Sequence, residues 1–398
     1  MSEPQPRTQR ELLYSEVENE LRGSVRALLA DRAPWTAVLE RTETTEPYDM
    51  KLWRTLTTEV GCAGLPVAER LGGAGASYRE TAVVLEELGR AVAPVPFIGS
   101  AVLATAALLA TGSAGSARAD ELLGDLAAGN RTAALAVPYS TPPDGPLPPG
   151  LRVADGAVSG MVRGVADALV ADVLLVPAGG ALYAVDAGAA GAAGTAGAAG
   201  TARAAGTAGA SGAAGAVRRS AVTSLDMTRP LCDVTFQAAP AVEVAPGDGP
   251  VRSALVTGAA LLASEQLGLA ERCLEMTVGY VKDRYQFGRP VGSFQGLKHR
   301  LADLWVAITQ ARAVARYAAD CVATGDPDAA VAAAVAQAHC SPVAVLAAEE
   351  CVQLHGGIGF TWEHPAHLYL KRAKSASIAL GTADRHRATL ATLVDLPG

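Results

Sequence analysis

The 398-residue chain carries 33 Lys and Arg against 40 Asp and Glu, a net charge of −7, and half of its residues are hydrophobic. That much apolar material supports a sizeable core and excludes a wholly disordered chain, while the lack of a basic excess removes the electrostatic case for nucleic-acid binding. The length predicts two or three domains, and few aromatics (5%) beside 42 Gly favour long helices packed through small side chains over a β-sandwich.

In chain order, the N-terminal MSEPQPRTQRELLYSEVENELRG is polar and shows no apolar signal-peptide run. Residues 1–130 read as a helical domain: ELLYSEVENELRGSVRALLA and ETAVVLEELGRAV (80–92) repeat apolar residues at three- and four-residue spacing. Between them lies the Gly-rich turn GLPVAERLGGAGAS, with Glu69 ahead of Gly72 and Gly73, and Pro94 and Pro96 stop the second helix. Residues 131–245 change character. TAALAV, GAVSG, ALVADVLLVPA, ALYAVDA and DVTFQAA are short apolar runs separated by turn residues, the pattern of a small β-domain. DVLLVP (172–177) does not alternate, which predicts a strand buried on both faces. Within this domain, residues 187–216 hold 16 Ala and 9 Gly, a low-complexity insert read as a disordered surface loop.

Residues 246–398 are helical again. In RSALVTGAALLASEQLGLAERCLEMTVGYVKDR, positions 255, 258, 262, 269, 273, 276 and 280 share one face. Further helices are expected from about Phe294 to Val322, striped by Leu297, Leu301, Leu304 and Ile308, then over 327–354, 364–378 and 382–393. Gly356-Gly357 closes the third, where a left-handed cap is expected. Long antiparallel helices with short joints make a four-helix-bundle-like domain. The fold class is therefore α+β: a helical domain, a small β-domain and a helical bundle. No stretch reads as a membrane span. The six cysteines stand singly, without a CxxC pair, which argues against disulfides or zinc and for a reducing cytoplasm. His355, His364 and His367 lack a carboxylate or Cys at ligand spacing, so no metal is expected.

Two segments carry the strongest family signal: DRYQFGRPVGSFQGLKHRLADL (283–304) and QLHGGIGFTWEHPAHLYLKRAKSASIALGTADRHR (353–387). Both closely resemble the acyl-CoA dehydrogenases, and GLPVAERLGGAG is similar to that family's Pro-Glu-Glu-x-x-Gly-Gly turn, with Val67-Ala68-Glu69 in place of the usual residues. The resemblance spans nearly the whole chain outside the insert. It implies a flavoprotein oxidoreductase that binds FAD and removes hydrogen across the α,β bond of an acyl thioester, carried on CoA or acyl carrier protein, with an electron-transfer flavoprotein as a candidate acceptor. Arg284, Gln286, Phe287, Gln295, Gln353, Gly356 and Gly357 match the positions that hold the adenosine-diphosphate half of FAD, and Thr382, in the matching Gly-Thr pair, is expected to bind the cofactor as well. The chemistry agrees: Arg284 offers a fixed guanidinium to a pyrophosphate, Gln295 and Gln353 offer amides to hydroxyls and an adenine edge, and the glycines permit close backbone approach. In the family this half of FAD is bound by a neighbouring subunit's bundle, which implies an oligomer. Glu363 and Lys371-Arg372 read as surface groups or salt-bridge partners.

The departures from the family pattern are as informative. The family's carboxylate base stands in one of two places; here the first is Leu380, in S-I-A-L-G-T, and the second is Gly258, with Ala259 beside it. Neither can accept a proton. The Thr-Glu-Pro-x-x-Gly-Ser-Asp segment reads VPYSTPPDGP (137–146), where Tyr139, Ser140 and Thr141 retain hydroxyls, and the Trp-Ile-Thr segment reads GVADALVADV (164–173). The adenosine side of the flavin site is kept and the base and ring side is largely lost. The chain thus resembles the subunit that lacks the catalytic glutamate in actinobacterial hetero-oligomeric acyl-CoA dehydrogenases, some of which act on sterol side chains. Two alternatives stand beside this reading: a self-sufficient flavoenzyme of altered chemistry, with Glu265 as the carboxylate near the right helix, and a non-catalytic binding or scaffold protein of the same fold.

Overall fold

The computed structural model describes residues 10–188 and 215–396. Most of the Ala/Gly insert, 189–214, lies outside the described residues.

The N-terminal layer is helical: α1 (Glu16–Arg32), α2 (Trp35–Thr42), α3 (Met50–Arg54), α4 (Tyr78–Ala91), α5 (Thr105–Leu109) and α6 (Ala117–Ala127). Ser15 starts α1 and Ser77 starts α4, each in a capping box with the glutamate three residues on, Glu18 and Glu80. A π-helical run, Ile98–Ala104, leads directly into α5.

Eight strands follow in two four-stranded sheets: β1 (Ala133–Leu135), β2 (Arg152–Ala154), β3 (Ala157–Ala166), β4 (Val173–Ala178), β5 (Ala181–Asp186), β6 (Ala216–Val222), β7 (Leu231–Pro240) and β8 (Val242–Pro246). One sheet has the order β1-β4-β5-β8, with β1 and β4 parallel. The other, β2-β3-β7-β6, is antiparallel throughout. The expected double burial of DVLLVP has a simple cause. Val173 and Leu175 face the helical core, while Leu174 and Val176 join Val162, Val234 and Phe236 between the sheets. The short or charged strands β2, β6 and β8 show too weak an apolar pattern to stand out in the sequence, and β6 takes in Ala216, the last residue assigned to the insert.

The C-terminal layer comprises α7 (Gly249–Asp283), the hairpin β9 (Tyr285–Gln286) and β10 (Arg289–Pro290), then α8 (Gln295–Thr324), α9 (Ala329–His355), α10 (Ala366–Ala376) and α11 (Ala383–Leu393). α7 is the axis of the molecule. Instead of one buried face, its residues 257–271 are buried all round. Its length and apolar composition, and those of 329–360, would suit a membrane span, but the apolar stretch of α7 is buried within the protein. α4 crosses it at a contact built on paired glycines. A Cβ at Gly89 would overlap the carbonyl oxygen of Glu265, and one at Gly268 that of Glu86. In α8 only Leu304 and Ile308 of the expected stripe are fully buried; Leu297 and Leu301 are half-buried near the helix start.

Candidate functional site

α7, α8 and α9 pack against one another, and the ends of α7 and α9 lie side by side at Tyr280 and His355. The end of α7, the β9–β10 hairpin, the start of α8 and the end of α9 therefore meet at one end of the bundle. Aromatic stacking ties them together: Tyr280 of α7 lies 4.5 Å from the ring of His355, which lies 4.1 Å from His364. Arg284, Gln286, Phe287, Gln295, Gln353, Gly356 and Gly357 all fall at this end, and all are exposed. Val291 donates its N–H to the carbonyl of Arg284 (2.7 Å), which sets the hairpin base. The turn takes positive φ at Phe287 (55°) and Gly288 (74°). Phe287 is 92% exposed and meets Phe294 edge-on at 6.3 Å. Among the described residues no ion pair or side-chain hydrogen bond engages Arg284. Gly356 has φ 61° and ψ −137°, positive in φ but outside the left-handed helical cap region that was expected. A Cβ at Gly356 or Gly357 would meet nothing within 4 Å, so neither glycine is there to relieve packing. An unpaired guanidinium, neutral amides and open backbone on one exposed face fit the adenosine-diphosphate half of FAD.

Thr382 stands apart. Its hydroxyl caps α11 by accepting the N–H of Arg385 (3.3 Å). The adjacent Leu380 packs near the start of α7, roughly 40 Å along that helix from Arg284.

The two base positions, distant in sequence, converge. A Cβ at Gly258 would lie 3.1 Å from Leu380 Cδ1 and would overlap Leu103 Cδ2. Leu380 is fully buried in the left-handed region (φ 53°). Its N–H donates to Tyr139 O (2.7 Å) and its carbonyl pairs with His386 Nε2 (3.0 Å). Leu103, which sequence reasoning missed, is 3% exposed on the π-helical run. Three apolar groups thus meet where the resemblance places the family's carboxylate.

Glu265 does not replace that carboxylate. It is 1% exposed and pairs with Arg229 and with Arg372 Nη1 (3.2 Å). Burial pushes its pKa up, but the two guanidiniums outweigh burial and hold the carboxyl below its ordinary value. Arg372 also contacts Asp226 (2.8 Å) and Thr228, and Arg229 donates to the Tyr139 hydroxyl (3.0 Å). This network joins the bundle to the β-domain. The surface alternative for Arg372 is therefore corrected: it is buried as an ion-pair partner. Its place four residues from both Leu368 and Ala376, which are buried on α10, is the signal that was available.

The ring-side segments are also committed internally. The Tyr139 hydroxyl is taken by Arg229. Asp167 accepts from the Gly99 N–H (2.7 Å) and the Tyr48 hydroxyl (3.0 Å), and Asp172 accepts from the Thr132 N–H (2.8 Å). Asp167 thereby holds the β-domain to the N-terminal helices, while Tyr139 and Asp172 bond within the β-domain.

Comparison with known proteins agrees with this geometry. Residues 15–130 match the acyl-CoA dehydrogenase N-terminal domain and residues 247–394 match the acyl-CoA dehydrogenase C-terminal domain. The chain belongs to the acyl-CoA dehydrogenase family, FAD-dependent oxidoreductases acting on CH–CH donors. Acyl-CoA dehydrogenase IpdE2 of Mycolicibacterium smegmatis is 36% identical, over 92% of this chain and 95% of that protein. IpdE2 of Mycobacterium tuberculosis is 37% identical, over 90% and 91%. Among solved structures, the ChsE4–ChsE5 complex from Mycobacterium tuberculosis superimposes with a TM-score of 0.81 at 25% identity, covering 98% of this chain and 100% of that one. A variant of the Tcur3481–Tcur3483 steroid ACAD gives a TM-score of 0.78 at 29% identity, covering 96% and 98%.

Proposed function

We propose that this chain is the base-lacking subunit of a hetero-oligomeric acyl-CoA dehydrogenase, lending the adenosine side of an FAD site to a partner subunit that supplies the carboxylate and the flavin-ring contacts. One asymmetry carries the reading. The residues matched to the adenosine-diphosphate half stand exposed at one end of the bundle, Arg284 without a side-chain partner among the described residues, whereas Leu103, Leu380 and Gly258 crowd together where the resemblance places the base. Arg284 would pair with the pyrophosphate, Gln295 and Gln353 would meet hydroxyls and the adenine edge, and the 356–357 backbone would border the ligand. FAD, when bound, would supply the hydride acceptor for the β-carbon; this chain's residues would bind and orient it, and the α-proton would be left to a carboxylate of the partner. The solved complexes of paired subunits support a hetero-oligomer, and the steroid ACAD among them supports a steroid-derived acyl thioester as substrate. The assembly is assigned to the cytoplasm, with an electron-transfer flavoprotein as acceptor. The test is turnover of acyl-CoA substrates with an artificial electron acceptor. The chain alone is inactive and gains activity on co-expression with a base-bearing homologue; full activity alone would refute the assignment.

A further inference from the structure

Leu103 has no part in the cofactor face or the ion-pair network, and it packs where the two positions matched to the base, Gly258 and Leu380, meet. A base at either position must reach the α-carbon of the substrate, so that carbon has to sit within about 3.5 Å of the carboxylate. The space beside Gly258 is taken: an added Cβ there would overlap Leu103 Cδ2, with Leu380 Cδ1 at 3.1 Å. Leu103, Leu380 and Ala259 are all at most 3% exposed and belong to one continuous core. Leu103 is presented by the π-helical run Ile98–Ala104, a widened turn that shifts side chains out of α-helical register. Close-packed interiors do not yield a channel without moving such a group.

We infer that Leu103 is a steric plug that closes this subunit's own acyl chamber at the reacting carbons, so that the thioester is directed to the partner's site. The inference rests on the proposed base-lacking role and deepens it: besides lacking a base, the chamber has no space for the atoms on which a base would act. The plug is an exclusion residue and touches neither cofactor nor reacting atoms.

The test is a calorimetric titration of the full chain, without partner or flavin, using octanoyl-CoA as the probe. The native chain is expected to bind it no better than millimolar. Leu103→Ala, checked for an intact fold by circular dichroism, is expected to bind at least tenfold more tightly. Leu103→Val, a smaller truncation that keeps the fold if the alanine variant loses it, is expected to fall between them. Equal affinity in native and variant chains overturns the plug, and so does a folded variant that remains silent. These failures are separable from failure of the base-lacking role, which turnover by the native chain alone would show.

Discussion

The backbone N–H of Leu380 donates a 2.7 Å hydrogen bond to the carbonyl oxygen of Tyr139. The vacant base position is thereby fastened to the β-domain segment that has also lost the flavin-ring pattern, and the two losses form one structural unit. A carboxylate placed there would be buried against Leu103 and Gly258. Leu380→Glu should therefore destabilise the chain by about 3 kcal/mol or more, read as a fall in melting temperature, and should create no dehydrogenase activity in the chain alone. Leu380→Met conserves volume and should cost less than about 1.5 kcal/mol. A Leu380→Glu chain as stable as the parent would show that this site is open to water.

The crossing of α4 over α7 makes opposite predictions for two glycines of the same helix. Gly268→Ala would drive its methyl into the carbonyl of Glu86, where backbone cannot yield cheaply, and should cost about 3 kcal/mol or more in denaturant unfolding. At Gly279 an added Cβ meets nothing within 4 Å. Gly279→Ala should stabilise by about 0.5–1 kcal/mol through helix propensity.

Glu265 ties three parts of the chain through Arg229 and Arg372. Its removal leaves two buried guanidiniums short of a partner, and Glu265→Ala should cost about 3–5 kcal/mol. The sign of the pH effect follows from its lowered pKa. Its stabilisation is complete above its ordinary value of 4.5 and is lost as pH falls through the lower folded value. Melting temperatures recorded as a function of pH should fall in this acid range for the native chain and more shallowly for Glu265→Gln. An unchanged acid slope would remove Glu265 from the pairing.

Much of this architecture was legible from periodicity. α8, α9 and α10 fall within a few residues of their expected spans: Gly325 and Gly356 end the first two, and Pro365 precedes the third. The continuous run 173–176 announced a strand covered on both faces. α7 misled in one respect: its small side chains, Ala259, Ala260 and Gly268, allow neighbours on every side, so a one-faced stripe understates its burial. The base position was readable as an absence at Leu380 and Gly258. Leu103 was not, because it lies in an unremarkable apolar run and meets Gly258 only once the chain is folded. The Arg229–Glu265–Arg372 network was likewise hidden, since charged residues far apart in sequence give no pattern until the chain is folded.

Arg284 tests the cofactor face separately from stability. No side chain among the described residues engages it, so Arg284→Ala should leave the melting temperature of the chain unchanged. In the assembled enzyme it should weaken FAD binding about tenfold or more, the loss of one charge-assisted contact. Arg284→Lys should recover part of that affinity, because a point charge lacks the planar fork. Unchanged flavin affinity in Arg284→Ala would remove the residue from the site.

The flavin content of the purified protein tests the central claim most directly. In the proposed role each FAD takes an adenosine-side face and a ring-side face from different subunits, this chain giving the first. The account predicts a colourless chain when it is purified alone, and one FAD for each pair of chains when it is purified with a base-bearing partner, measured by flavin absorbance against protein concentration. A yellow homomer carrying one FAD per chain would contradict it.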